Sequence, residues 1–525
     1  MKQNDRKKIW LLLIVCVWIF EARAQITPAH LQQFISEKKF TGNASLKYAA
    51  ELTVFYTQTN FTTAWIQKEN TVNCITFLND LKRTASLGLQ EKDYQFSYIE
   101  SFRKGTIHLQ NKNDSLLAEV RITDAAIHFY NDIAYGNTTP VLGYNELNYA
   151  PGCLNIPNLL ATYLSKNELQ LLITRLTTSL PELTAMESKI RWFQGLMARP
   201  GFSEVIIVSN KISASNNPLV LKLYQLGIVD TVDKNETDNH LKQKLKEAQQ
   251  QFNLMADGVL RSTIMQALNI PLWVRLQQLT ISINYYRWLY CLIQDQSVIV
   301  VNIPATFLKV YHQNKVILEM RVIVGKKSTP TPTLASTVNE VVLYPYWHVP
   351  YSIATKELLP AIKRNPGFIE EGNYQVLNRM GKIMDPHTIN WHALNRNNFP
   401  YLIRQSTGCD NALGLLKLDF YSPFGVYLHD TPSKGLFMLN KRFFSHGCMR
   451  MEKPMELGHL VLKNNAIAID TLEQKGCLRN LSPIRVTADE HMRVIVWYNP
   501  AGIDSTGRVL FYEDAYEKFD WMKNK

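Results

Sequence analysis

A cysteine and several histidines lie close together in the last quarter of the sequence, within two short segments. Residues 426–432 read Val-Tyr-Leu-His-Asp-Thr-Pro and contain His429, and residues 444–450 read Phe-Ser-His-Gly-Cys-Met-Arg and contain Cys448. A thiol is mostly protonated near neutral pH, and it attacks a carbonyl well only when a base or a positive potential favours the thiolate. His429 and His446 are the available bases. The pattern therefore predicts nucleophilic chemistry at Cys448.

The turn around Cys448 also offers groups that can stabilise a developing negative charge. When a thiolate attacks an amide carbonyl, the oxygen becomes an oxyanion and needs hydrogen-bond donors that are already in place. Backbone N–H groups at a tight glycine-containing turn suit this task, and His446-Gly447-Cys448 is such a turn. Two roles stay open for Arg450: it could hold a substrate carboxylate or support the turn by hydrogen bonds.

The spacing of the two segments resembles the signature of the YkuD-type L,D-transpeptidases. In that family a His is followed after about sixteen residues by Ser/Thr-His-Gly-Cys-x-Arg, and sixteen positions separate His429 from Ser445 here. Other segments are similar to the large periplasmic members, which carry a helical scaffold and a peptidoglycan-binding unit before the catalytic domain. These segments are 88–94, 301–304, 324–326, 345–350, 411–414 and 428–432, and they are densest from Arg287 to about Leu462.

The resemblance implies a role for each residue that matches. Cys448 would be the acyl acceptor, His429 the base, and the backbone of His446, Gly447 and Cys448 the oxyanion site. The residues implied to support the site or bind substrate are Ser445, Arg450, Tyr427, Trp347 and Asp430. The resemblance implies no cofactor and no metal.

The implied reaction is an acyl transfer between peptidoglycan stem peptides. The thiolate attacks the bond after the third residue of a tetrapeptide stem, usually meso-diaminopimelate, and expels D-alanine. The diaminopimelate amine of another stem then resolves the thioester and forms a 3-3 crosslink. Water in place of that amine would give an L,D-carboxypeptidase, and a lipoprotein lysine would give an anchoring acyltransferase. The family is typically acylated by carbapenems.

Two departures from the family pattern concern local geometry rather than the nucleophile. The chain has Gly408-Cys409-Asp410 where the family often has Gly-Pro, and Tyr286 stands where a Glu usually precedes the Arg-Trp pair. We therefore expect the turn near Cys409 to differ.

Other functions were weighed against the transpeptidase. Papain-like wall hydrolases place the cysteine before the histidine, which is the reverse of His429 then Cys448, although His459 and His491 do follow the cysteine. A non-catalytic peptidoglycan-binding protein would have no reason to keep both His429 and Cys448.

The residues around the two segments read as a β-rich domain. Strands are predicted at Val298–Asn302, Phe307–His312 and Lys315–Val324 by alternating or continuous apolar residues. A short strand is expected to end at His429, and a helix to begin near Pro454. Residues 355–407 interrupt the strand pattern with a helix-like start, Thr355–Lys363. An insertion of this length is more often functional than inert, so we expect a lid, which contains Trp391, Tyr401 and Arg404.

The residues before this domain read as helices. Apolar residues recur at three and four positions in Phe77-Leu78-Leu81, and Thr123-Asp124 predicts a helix start before Ala125–Tyr135, with Gly136 as its stop. Further on, a helix at Leu241–Phe252, a turn at Asp257-Gly258 and a restart at Ser262 are predicted. This unit resembles the small three-helix peptidoglycan-binding domain. The matching positions are Ala248, Phe252, Asp257, Gly258, Leu268 and Asn269.

The N-terminus and the bulk composition indicate an exported protein. A basic run, the apolar stretch Ile9–Phe20 and Ala22-Arg23-Ala24 predict a secretory signal peptide, with an uncleaved membrane anchor as the alternative. Removing it lowers the net charge from +12 to +9, because it carries five Lys and Arg and two acids. No basic run remains, so nucleic-acid binding is unsupported. Six of the seven cysteines remain, without a C-x-x-C pair for zinc. The sequence leaves open whether Cys409 and Cys477 form a disulfide.

Together these features predict an α+β multidomain protein, periplasmic or otherwise extracytoplasmic. The expected layout is a signal peptide at 1–24, a helical scaffold at 25–205, a peptidoglycan-binding-like domain at 206–280, a sandwich-like catalytic domain at 285–500 with the 355–407 insertion, and a tail at 501–525.

Overall fold

The computed structural model describes residues 26–38, 46–209, 218–232 and 237–523. The predicted signal peptide, residues 1–24, lies outside these ranges. The described residues form two compact units, one made of 26–137 and 152–187, the other of 138–151 and 188–523. Among the described residues, no helix combines the length and the apolar character needed to cross a membrane.

The first unit is helical. The helices before residue 200 are Pro28–Ser36, Ala49–Gln58, Thr71–Leu81, Phe96–Arg103, Lys112–Tyr135, Ile156–Ser165, Leu169–Thr177 and Pro181–Met197. Residues spaced three and four apart, such as Phe77, Leu78 and Leu81, are buried in its core. This burial confirms the amphipathic pattern found in the sequence.

The helix predicted to begin at Thr123-Asp124 begins eleven residues earlier, at Lys112, so that prediction is wrong. Asn111 caps it by accepting a hydrogen bond from the Asp114 N–H at 3.0 Å. Thr123 and Asp124 are buried in the middle of the helix, where Asp124 accepts the backbone N–H of Tyr48 at 2.7 Å. A side chain typical of a helix start therefore satisfies another segment here. The predicted stop at Gly136 is confirmed.

Five helices of four to nineteen residues lie among the described residues between 218 and 295 of the second unit. They are Pro218–Gln225, Asp238–Gln251, Ser262–Leu268, Leu272–Tyr290 and Leu292–Asp295. The helix predicted at Leu241–Phe252 starts three residues earlier and ends one residue earlier, and the restart at Ser262 is confirmed. Gln249 holds the intervening turn, since its side chain accepts the Gly258 N–H at 2.8 Å and donates to Asp257 at 2.9 Å.

The strands all belong to the second unit. In chain order they are β1 Tyr144–Asn145, β2 Val298–Asn302, β3 Phe307–His312, β4 Lys315–Gly325, β5 Leu334–Leu343, β6 Trp347–His348, β7 Tyr374–Leu377, β8 Ile383–Met384, β9 Leu402–Gln405, β10 Leu416–Phe420, β11 Leu428–His429, β12 Phe443–Ser445, β13 Met449–Met451, β14 Ile484–Thr487, β15 Arg493–Trp497, β16 Ala501–Ile503 and β17 Val509–Phe511. The predicted strands β2 and β3 have the expected bounds, and β4 is one residue longer.

The main sheet has the order β1-β5-β10-β11-β13-β4-β3-β2-β15, and β15 pairs with β5 again, so the path closes on itself. Strands β12 and β14 pair with β4 and β5 beside this path. Buried residues of these strands and of the helices Pro454–Val461 and Ile467–Lys475 form one hydrophobic core. The α+β multidomain prediction is confirmed.

The segment predicted as a lid has a core and a sheet of its own. Helical turns run through Tyr351–Ile353, Ala354–Leu358, Leu359–Arg364 and Phe368–Glu371, and a four-stranded sheet follows with the order β6-β9-β7-β8. Ile362, Ile369 and Ile403 are buried between them. The helix-like start is confirmed, whereas the short strands within the polar stretch were not predicted. The predicted bounds, 355–407, leave out β6, which pairs with β9, so from here on the insertion means residues 346–407.

Residues near the end of the chain are packed against the rest of the second unit. Strands β16 and β17 form an antiparallel hairpin within the predicted tail, Phe511 is buried, and a short helix spans Asp520–Lys523. Cys409 and Cys477 form a disulfide across 68 positions of sequence. Cys409, which belongs to the segment that departs from the family pattern, is therefore held by a covalent bond.

Candidate active site

His429 lies in strand β11 of the main sheet, and Cys448 directly precedes the neighbouring strand, β13. Strands β11 and β13 pair in parallel, with His429 opposite Arg450, and the Met449 N–H donates to the Tyr427 carbonyl at 3.0 Å. Cys448 therefore lies next to Tyr427. Because paired residues project to the same face and every second residue shares that face, Tyr427, His429, Cys448 and Arg450 lie on one face. The Cα atoms of Cys448 and His429 are diagonal neighbours, on the order of 7–8 Å apart.

Hydrogen bonds from buried groups fix the turn that carries the thiol. Ser445 Oγ donates to the Cys448 carbonyl at 2.6 Å and accepts the Gly447 N–H at 3.1 Å. Thr331 Oγ1 donates to the Gly447 carbonyl at 2.8 Å. Gly447 has φ +121°, a conformation that L side chains rarely adopt. The Gly447 N–H is thus engaged by Ser445 in this arrangement, which leaves the N–H groups of His446 and Cys448 as the candidate oxyanion donors.

The imidazole of His429 is held in one tautomer. Its Nδ1 lies 2.5 Å from the carbonyl oxygen of Asp430, and a carbonyl can only accept, so Nδ1 carries the proton. The lone pair is therefore on Nε2. Burial, followed by the positive charges of Arg450 and Lys417, lowers the pKa of His429 to about 3. At neutral pH the ring is uncharged and able to accept a proton.

Cys448 is a free, partly exposed thiol in the same environment. Burial raises its pKa above the ordinary value, against hydrogen bonds from the Tyr427 backbone and hydroxyl and the charges of Lys417 and Arg450, which lower it. The resting pair is therefore a neutral thiol beside a neutral imidazole.

Arg450 brings a half-buried positive charge close to the sulfur. Its Nε is buried and has no hydrogen-bond partner among the described residues. Burial lowers the pKa of Arg450, and the neighbouring Cys448 opposes this shift. Its charge favours the thiolate and disfavours a protonated His429, so Arg450 acts on both members of the pair.

Tyr427 and Lys417 extend the site toward β10. The Tyr427 ring meets the His429 ring edge to face with centroids 5.6 Å apart, and Lys417 Nζ lies 4.3 Å from the Tyr427 ring centroid. Burial raises the pKa of Tyr427, so its hydroxyl stays protonated and can donate to the sulfur. A cavity of about 480 Å³ opens here, with Lys417, Val426 and Tyr427 in its lining.

Sequence reasoning missed Lys417, which is the strand partner of His429. The signal was present in β10, where Leu416, Leu418 and Phe420 are buried and Lys417 and Asp419 alternate with them. Alternation of this kind places the charged residues on the opposite face from the core.

Two predicted site residues, Asp430 and Trp347, make contacts of other kinds. Asp430 is buried and accepts the Leu415 N–H at 2.9 Å and a Lys434 ammonium hydrogen bond at 2.5 Å, so it braces the turn before β10. A Cβ at Gly414 would lie 2.3 Å from its carboxylate. Trp347 belongs to β6 of the insertion, with its ring 6.5 Å from that of Tyr374.

His446 is exposed and connects the thiol turn to the insertion. Its Nε2 lies 2.8 Å from Oε1 of Glu357 in the helical segment Ala354–Leu358. The insertion therefore contacts the residue two positions before Cys448. We call this pair the His446–Glu357 contact.

Comparisons with known proteins match both units. Residues 296–469 match the family model of the L,D-transpeptidase catalytic domain, and residues 50–189 match that of a scaffold domain. A curated Haemophilus influenzae protein named "Putative L,D-transpeptidase" is 43% identical over 165 residues. This alignment covers 31% of the chain and only 33% of that relative, so the chain matches about a third of its length.

Solved structures of low identity are also similar in part. One is an L,D-transpeptidase from Mycobacterium smegmatis, at 16% identity and a TM-score of 0.18, covering 38% of this chain and 58% of that one. Another is L,D-transpeptidase 3 from Mycobacterium tuberculosis, at 12% identity and a TM-score of 0.19, covering 38% and 60%. At such scores the likeness carries no structural argument.

Proposed function

We propose that the chain forms 3-3 crosslinks between peptidoglycan stem peptides, because residues 296–469 match the family model of the L,D-transpeptidase catalytic domain. The donor would be a tetrapeptide stem and the acceptor the diaminopimelate amine of a second stem. The observation that carries the proposal is the shared sheet face of Cys448 and His429, with Nε2 of the imidazole unprotonated.

The first half of the reaction makes a thioester. The Cys448 thiol passes its proton to His429 Nε2 as the sulfur attacks the carbonyl carbon after the third stem residue. Arg450 and Lys417 favour the sulfur's negative charge, and the N–H groups of His446 and Cys448 would receive the oxyanion. When the tetrahedral intermediate collapses, the imidazolium returns the proton to the departing amine of D-alanine.

The second half transfers the acyl group. An amine attacks the thioester carbonyl, loses its proton to His429, and expels the Cys448 thiolate, which is then reprotonated. A stem-peptide amine gives the 3-3 crosslink. Water would make the same site an L,D-carboxypeptidase, and a lipoprotein lysine would make it an anchoring acyltransferase.

The test of this proposal is product analysis with purified tetrapeptide muropeptides. We expect wild-type protein to release D-alanine and form crosslinked dimers detectable by mass spectrometry, and Cys448→Ala to form none. Carbapenem should add its mass to the wild type and not to this variant. Cys74→Ala is the matched control, because Cys74 is a free thiol buried in the helical unit. Crosslinking retained by Cys448→Ala would contradict the proposal.

We further propose an extracytoplasmic location, with the small helical domain serving to bind the wall. The signal-like N-terminus motivates the location, and the Cys409–Cys477 disulfide supports it, since such bonds persist in oxidising compartments. The binding role of residues 206–280 rests on the resemblance of their helix-turn-helix pattern alone.

A further inference from the structure

A second cavity, of about 250 Å³, opens at Lys417 and has a basic lining. Lys417, Arg485 and His348 lie in its wall. Arg404, the strand partner of His348, stacks with its guanidinium 4.3 Å from the ring centroid of Tyr346, which also lines the cavity. Three basic side chains therefore line one small space, and Arg404 lies against a fourth lining residue, Tyr346.

The strand register brings these side chains together from distant parts of the chain. Lys417 of β10 and Arg485 of β14 both pair with Val342 of β5, one from each side, so they share a face of the main sheet. His348 and Arg404 come from the small sheet of the insertion. The main sheet forms one wall and the insertion the other.

Even with the nearby acidic side chains counted, the net charge around this cavity is positive. Asp419 lies 3.1 Å from Lys417 and 4.0 Å from Arg485, and Glu340 also pairs with Arg485. Both carboxylates line the cavity beside Tyr427 and not this one. Arg404 donates to a neutral partner, Gln375, at 2.7 Å. Lys417, Arg485 and Arg404 thus supply three positive charges near the cavity, and Asp419 and Glu340 supply two negative ones.

The titration of His348 agrees with a positive potential. Burial lowers the pKa of His348, and Arg404, Lys417 and Arg485 lower it further. The three cations that disfavour the protonated imidazole of His348 would favour an anion at the same place.

We propose that this basic cavity binds the side-chain carboxylate of the diaminopimelate residue in the substrate, an inference that rests on the proposed transpeptidation. Lys417 lies two strand spacings from the strand that follows Cys448, roughly 10 Å. A carboxylate adjacent to the scissile bond lies within one residue of it, roughly 4 Å, whereas the diaminopimelate side chain is as long as about two residues, roughly 7 Å. The side chain of Lys417 spans the remaining distance from its strand to that carboxylate.

The test compares two tetrapeptides that differ in one carboxylate. One contains meso-diaminopimelate, and the other contains L-lysine, which keeps the side-chain amine and lacks the carboxylate. We expect Arg485→Gln to raise the KM for the diaminopimelate peptide roughly tenfold and to leave the KM for the lysine peptide nearly unchanged. Arg479→Gln is the matched control, because Arg479 is exposed and paired with Asp410 at 3.6 Å outside the cavity.

Calorimetric binding to Cys448→Ala separates this inference from the proposed reaction, because no chemistry occurs there. A preference for the diaminopimelate peptide that is lost on adding Arg485→Gln would support the subsite even if the wild type formed no crosslinks. Equal affinity for the two peptides would overturn it. Loss of affinity only when the terminal carboxylate is converted to an amide would also overturn it, since the cavity would then take the carboxylate beside the scissile bond.

Discussion

At the scale of single residues, the site combines a buried imidazole with a thiol that is not ionised at rest. Burial acts on both groups in the direction of neutrality, and Arg450 and Lys417 act in opposite senses on the two, since they favour the thiolate and disfavour the imidazolium. In the proposed reaction we therefore expect the proton to leave Cys448 as the sulfur attacks the substrate carbonyl.

The lowered pKa of His429 predicts an acid-dependent loss of stability. Between pH 6.5 and about 3 the unfolded chain binds a proton at His429 and the folded chain does not, so the free energy of unfolding falls as pH falls through this window. In His429→Gln this contribution disappears, and we expect the loss of stability between pH 7 and pH 4.5 to be smaller by on the order of 2 kcal/mol. Urea unfolding at the two pH values measures it.

His459→Gln is the control for that comparison, since the His459 side chain is partly exposed and lies 3.4 Å from Asp470. It should keep the pH dependence of the wild type. The same pH dependence in wild type and His429→Gln would contradict the proposed neutral imidazole.

The sequence predicts Cys448 and His429 as the reacting residues, because cysteine and histidine chemistry depends on residue types and their spacing. It could not assign Asp430 to the turn before β10 or show that Ser445 engages the Gly447 N–H, because both depend on which backbone groups meet in the fold. Lys417 was missed for the same reason. Its partner His429 lies on another strand.

At the scale of elements, the His446–Glu357 contact is where the insertion meets the thiol turn. Both side chains are partly exposed, so the pair contributes at most about 1 kcal/mol. We expect Glu357→Gln to leave the fold intact and to raise hydrolysis relative to crosslinking about two- to fivefold, because a looser insertion admits water to the thioester. The ratio of hydrolysed to crosslinked muropeptides measures this.

A matched control lies within the insertion itself. Glu370 pairs with His387 at 2.7 Å, and both side chains are exposed. Glu370→Gln removes the same kind of pair away from the thiol turn, so its product ratio should equal that of the wild type. An unchanged ratio in Glu357→Gln would count against a water-excluding lid.

Long periodic elements were predicted well and short ones were not. Strands β2 and β3 were found because five or six residues are enough to show a pattern. Strands β6 and β8 have two residues each, and two residues carry no period. The short strand predicted to end at His429 is confirmed as β11, whereas β6, which positions Trp347, was not visible in the sequence.

At the scale of the whole molecule, the order of strands determines the site more than the order of residues does. Sixteen positions separate His429 from Ser445, yet the two segments meet because β11 and β13 are adjacent and parallel. Composition and periodicity could predict a helical region before a β-rich one. They could not predict that β5 would pair with β10, β14 and β15 and so close the sheet, since such pairings depend on contacts between distant parts of the chain.

The Cys409–Cys477 disulfide gives a prediction that links the fold to the compartment. It closes a loop of 68 positions, which corresponds to a stabilisation on the order of 4 kcal/mol through the entropy of the unfolded chain. We expect the double variant Cys409→Ser with Cys477→Ser to lower the denaturant midpoint of the catalytic unit. Cys74→Ser is the comparison, because it removes a free thiol and leaves the number of disulfide bonds unchanged. In protein recovered from outside the cytoplasm, mass spectrometry should find the Cys409–Cys477 peptide oxidised and Gln25 as the first residue. A reduced pair in that material, or a chain that keeps residues 1–24 and stays inside the cell, would contradict the proposed export, because disulfides persist in oxidising compartments and are rare in the cytosol.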